Sequence, residues 1–78
     1  MPTVFRWKGY RFFWYQSDGK EPPHVHIWKD GCECKIWLLS GELAFNHGHA
    51  ASDLRALHTT TNEQRDHLLE VWNEHFGR

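Results

Sequence analysis

Polar and apolar positions alternate along residues 24–38. Val25, Ile27, Cys34, Ile36 and Leu38 fall on one side of the alternation; His24, His26, Trp28, Glu33, Lys35 and Trp37 fall on the other. A period of two marks strands with two unlike faces. Asp30-Gly31, in the middle, is a favoured type I′ pair. The stretch therefore reads as a hairpin of His24–Lys29 with Glu33–Leu38. With Asp30-Gly31 as its two loop residues, Lys29 stands opposite Cys32, Trp28 opposite Glu33, His26 opposite Lys35 and His24 opposite Trp37. The apolar side is the natural seat for a helix. The histidines, the lysine and the tryptophans then face away from the helix-packed core.

An earlier pair of runs, Val4–Trp7 and Tyr10–Tyr15, is rich in aromatic and β-branched residues and is broken by Lys8-Gly9, which predicts another hairpin. The same register arithmetic sets Arg6 against Arg11. Like charges directly opposite are unfavourable unless something acidic lies between them, a protein carboxylate or a bound phosphate. Between the hairpins, residues 16–23 form a loop by composition, and Pro22-Pro23 favour an extended approach to the next strand. Ser40-Gly41 is a turn, Glu42–Asn46 is read as a short fifth strand, and His47-Gly48-His49 as a flexible connection.

From Ser52 the period changes to about 3.6, with Leu54, Leu57, Thr61, Leu68, Trp72 and Phe76 near one stripe. Ser52 suits the N-cap, Asp53 the positive helix end and Gly77 the stop. One helix over 52–76 is expected, with Thr59-Thr60-Thr61 as the place where it would break if it does. The fold class is α+β: an antiparallel β-meander of four to five strands over residues 3–46, with a C-terminal α-helix packed on one face. Residues 1–78 form one domain.

Composition narrows function. Seventy-eight residues have room for one modest core, and five Trp, five Phe and two Tyr help to fill it. Nine basic and ten acidic residues exclude the strongly basic balance of a non-specific nucleic-acid binder, so any anion site must be local. No apolar stretch approaches the roughly 20 residues of a membrane span, and the first residues lack the pattern of a signal peptide, which points to the cytoplasm and to reduced Cys32 and Cys34.

His24 and His26, with Lys35 opposite, can support general acid–base phosphodiester chemistry. One imidazole takes a proton, the other gives one, and the ammonium steadies the developing charge. If both hairpins present one face together, Arg6 and Arg11 join them in a basic cluster. The pair is also compatible with histidines that merely start a strand, and with a metal, although two histidines supply only two ligands. Neither Cys32-x-Cys34 nor His47-Gly48-His49 has the spacing of a structural zinc site, so no metal set is assigned and no cofactor motif is present. Cys34 reads as a small core residue. His58, His67 and His75 read as surface positions.

Several segments carry a resemblance: Thr3-Val4-Phe5-Arg6, Gly9-Tyr10-Arg11-Phe12-Phe13, Glu21-Pro22-Pro23-His24-Val25-His26, Lys35-Ile36-Trp37-Leu38 and Trp72-Asn73-Glu74-His75-Phe76-Gly77. Together they resemble the bacterial family described as domain of unknown function 4160. The family pattern extends to Arg6, Arg11, His24, His26, Lys35 and Trp37, and more weakly to Asn46. It does not extend to Cys32, Cys34, His47 or His49, and Arg55 and the threonine run depart from it. The resemblance implies a small bacterial protein, often encoded beside another small domain in a pairing that suggests a toxin–antitoxin type of module.

Two function classes follow. In the first, the chain is an interaction module whose His/Lys/Trp face docks the neighbouring-gene protein or a second copy. In the second, it is a metal-independent ribonuclease, or an RNA- or phosphate-binding protein, with His24, His26 and Lys35 as catalytic groups. Arg6, Arg11, Trp28, Trp37 and Asn46 are the accompanying anion- or partner-binding residues.

Overall fold

The computed structural model describes residues 3–77; Met1, Pro2 and Arg78, the ends of the expected 1–78 domain, lie outside the described residues. Five strands, β1 (Thr3–Trp7), β2 (Tyr10–Phe13), β3 (His24–Lys29), β4 (Cys32–Trp37) and β5 (Leu43–His47), form one antiparallel sheet in chain order. The α+β meander is thus the observed fold, with the fifth strand present. Both hairpin registers match the alternation: Arg6 pairs with Arg11, His24 with Trp37, His26 with Lys35 and Trp28 with Glu33. The tight turns explain this. Lys8 and Gly9, and Asp30 and Gly31, all take positive φ, as a two-residue type I′ turn requires.

The expected single helix is two: α1 (Ala51–Glu63) and α2 (Arg65–Phe76). The break falls at Gln64 rather than in the threonine run. The burial of Thr60 and Thr61 holds the run within the helix, although the Thr59 hydroxyl donates to the Arg55 carbonyl, a bond that tends to bend helices. Backbone bonds continue through the break, from Gln64 N–H to Thr60 O and from Leu68 N–H to Gln64 O. Gln64 itself has φ −97° and ψ 6°, outside helical geometry. The helix also starts earlier than Ser52 predicts: Ala50 is the N-cap, and its side chain makes no capping bond. Gly77 ends α2 in the left-handed conformation, as expected.

Phe12, Val25, Ile27, Cys34, Ile36 and Leu38 join Leu57 of α1 and Leu68 of α2 in one core. Each such aliphatic side chain contributes about 1.5–3 kcal/mol on burial. Burial also pushes the Cys34 thiol up to about 12. The helices therefore cover the face the alternation nominated. One turn beyond Leu68, Trp72 packs on His24 with ring centroids 5.1 Å apart, so α2 reaches the His24 end of β3. No helix among the described residues is long and apolar enough to cross a membrane.

Candidate functional site

The second sheet face is built in rows. Pairing places Arg6, Arg11, Trp28, Glu33 and His47 side by side across the strands; Phe13, His26, Lys35 and Phe45 form the next row, and His24 and Trp37 the one after. The two hairpins do present this face together. It is not solvent-open, however: His24 is fully buried and His26 is 5% exposed.

The cover comes from the segment read as a loop. Beyond β2, Trp14 is buried and its indole N–H donates to the His24 carbonyl. Gln16–Lys20 then makes a short 3₁₀ turn, closed by Asp18 N–H to Tyr15 O and by Tyr15 N–H to the Asp18 carboxylate at 2.9 Å. Gly19 is fixed by contact: a Cβ there would lie 2.5 Å from Phe76 Cδ1. This turn holds Asp18, itself 7% exposed, above the histidines.

His24 Nε2 and His26 Nε2 each lie 3.1 Å from the same oxygen, Asp18 Oδ2. His24 Nδ1 donates to the Pro22 carbonyl at 2.9 Å. His26 Nδ1 faces Glu33 Oε2 at 3.3 Å, and the Tyr15 hydroxyl donates to Glu33 Oε1 at 3.1 Å. Burial, more than any neighbour, lowers the His26 pKa; Asp18 and Glu33 oppose that shift and His24 adds to it. Burial, and then the Glu33 charge, raises the Tyr15 hydroxyl. Lys35 donates to Glu21, and that bond is the chief cause holding the Glu21 carboxyl below its ordinary value.

The expected residues thus have different surroundings from those of an open basic cluster. Asp18 contacts both histidines and Glu21 pairs with Lys35, whose ammonium also lies 4.4 Å from the Trp37 ring centroid. Trp37 is half-buried beside His24. Arg11 bonds the Thr3 hydroxyl and lies over the Phe13 ring; Arg6 is exposed on the edge strand. Asn46 has a structural task, clamping the β5–α1 connection by donating to the His49 carbonyl and accepting the His49 N–H. His49 is buried, with Nε2 3.1 Å from the Ile27 carbonyl, so the connection is pinned rather than flexible. Trp28 remains 41% exposed. It borders a cleft of about 220 Å³ together with Arg11, Phe13, Tyr15 and Glu33.

Sequence reasoning missed Asp18, Glu21, Tyr15 and Glu33 as partners of the pair. A signal existed: Asp18 and Glu21 stand within six residues of His24, before two prolines that turn the chain into β3. As arranged, the groups can share protons among carboxylates and imidazoles, or hold a cation.

A family model described as "Domain of unknown function (DUF4160)" matches residues 9–73. No curated protein and no solved structure matches the chain.

Proposed function

We propose that this chain, which belongs to the DUF4160 family, is a cytoplasmic interaction module, one half of a toxin–antitoxin-like pair, whose partner docks on the sheet face around Trp28. The observation that carries this reading is the exposed indole between Arg11 and Glu33, beside an aromatic-walled cleft. Tryptophan and arginine dominate binding energy where partner proteins exclude water from them. The favoured partner is the small protein encoded beside members of the family.

Co-expression tests this. The two proteins co-elute, and Trp28→Ala or Arg11→Ala weakens the complex at least about tenfold, roughly 1.4 kcal/mol. A chain that stays alone and monomeric beside its neighbour's product overturns the reading. Self-association lost in Trp28→Ala would instead make a second copy the partner.

Phosphodiester cleavage by His24, His26 and Lys35 has less support. A general acid or base must come within hydrogen-bond reach of its substrate, and both imidazoles lie beneath Asp18. Equal RNA cleavage without metal by wild type and His26→Ala removes that alternative.

A further inference from the structure

We infer that Asp18, His24 and His26 form a binding site for one divalent transition-metal ion, with zinc the best match to two imidazole nitrogens and a carboxylate oxygen. The site lies one row or more behind the proposed docking surface and does not depend on it.

The tautomers carry the argument. The Pro22 carbonyl can only accept, so the proton of a neutral His24 sits on Nδ1. Nε2 then bears a lone pair, 3.1 Å from an oxygen that bears lone pairs of its own. This nitrogen is fully buried and has no hydrogen-bond partner among the described residues. A proton on Nε2 does not resolve the contact, because the two atoms lack hydrogen-bond geometry and Asp18 Oδ2 is already engaged by Tyr15 N–H and His26. A cation placed among the three atoms resolves it.

His26 fits the same scheme. An ion at Nε2 would move its proton from the Asp18 bond to Nδ1, a buried nitrogen that has no hydrogen-bond partner among the described residues and lies 3.3 Å from Glu33 Oε2. Each ligating imidazole would then have an oxygen beside its outer nitrogen, Pro22 O bonded to His24 and Glu33 Oε2 3.3 Å from His26, and such oxygens orient metal-binding histidines generally. Ligand atoms around a tetrahedral zinc with bonds of about 2.0–2.1 Å stand about 3.3 Å apart. The two histidine–Asp18 separations of 3.1 Å are already close to that. A dication there would also balance the buried Asp18 charge and the half-buried Glu33 charge beside it.

The test uses untagged protein, stripped with a chelator and shown to be folded by circular dichroism, then titrated with zinc chloride in a calorimeter. One ion binds per chain, and added zinc raises Tm. Asp18→Asn binds at least about 100-fold more weakly, Glu33→Gln about 10-fold more weakly, and His47→Asn, altered at an exposed histidine, like wild type. Zinc affinity unchanged in Asp18→Asn, or no saturable binding by the folded wild type, overturns the site. Should Asp18→Asn fail to fold, wild type is loaded with cobalt(II). Ligand-field bands of a nitrogen-bound ion support the site, and the spectrum of the aqueous ion overturns it.

Discussion

The two faces of the sheet are both covered, by opposite means. On one, hydrocarbon from Val25, Ile27, Ile36 and Leu38 meets Leu57 and Leu68, and no charge enters. On the other, His24 and His26 are buried just as well, but under a carboxylate from a short turn, with a second carboxylate at their side. The first face depends on volume and tolerates no ionisation. The second depends on the polar contacts around the histidines, because an unpaired buried polar atom costs about 1–3 kcal/mol, and among the described residues His24 Nε2 is one such atom. Alternation in a sequence therefore tells which residues share a face. It does not tell which face is wet.

The largest measurable contrast is in reactivity. Cys34 sits on the hydrocarbon face, where burial lifts its thiol from an ordinary 9.0 to about 12. The thiolate is the reactive form, so at pH 8 its population falls about a thousandfold. In a Cys32→Ser background, folded protein should leave Cys34 unmodified by a disulfide reagent over hours, and denaturant should expose it at once. Rapid labelling in the folded state would mean that this face admits water. Next is Ile36→Ala, also on that face and fully buried. Denaturant unfolding should show a loss of about 2–5 kcal/mol.

The difference between the faces also marks how far sequence could reach. Strand order, both registers and the core face follow from local rules, namely period two and positive-φ turn pairs at Lys8-Gly9 and Asp30-Gly31. The site does not follow from local rules. Asp18 reaches His24 and His26 because a 3₁₀ turn folds back over the sheet, and Gly19 lets that turn lie against Phe76, some fifty-seven residues later in the chain. No periodicity encodes such a contact. The helix break at Gln64 is of the same kind. The apolar stripe runs on through residues 61 to 68, and composition points to the threonines instead, yet the burial of Thr60 and Thr61 keeps the run helical.

Gly19→Ala is the matching perturbation on the polar face. The new methyl would lie 2.5 Å from the Phe76 ring, and the ring belongs to a packed cluster with Trp14 and Trp72 rather than to a free surface. Overpacking of this sort costs about 1–3 kcal/mol. Because the turn carries Asp18, near-ultraviolet circular dichroism should also change, as Trp14 and Trp72 lose their fixed setting. A variant with wild-type stability and spectrum would mean that the turn is not held by this contact.

The smallest effect is expected at Lys35, which the sequence places opposite His26. Its ammonium is committed to Glu21, whose side chain is 46% exposed, and solvent screening keeps such a pair to about 0–1 kcal/mol. The sign with pH is fixed. Lys35 holds the Glu21 carboxyl below its ordinary 4.5, so this contribution is complete above that value and is lost as pH falls through the lower, folded-state value. Lys35→Gln should therefore cost under about 1 kcal/mol at pH 7 and less once Glu21 is protonated, when only the contact of the ammonium with the Trp37 ring is left to lose. Carbon-detected NMR of the Glu21 carboxyl should show its titration returning upward in the variant. A loss as large as that of Ile36→Ala would show that Lys35 supports the buried histidines themselves, and the polar face would then depend on its cation as well as on its carboxylates.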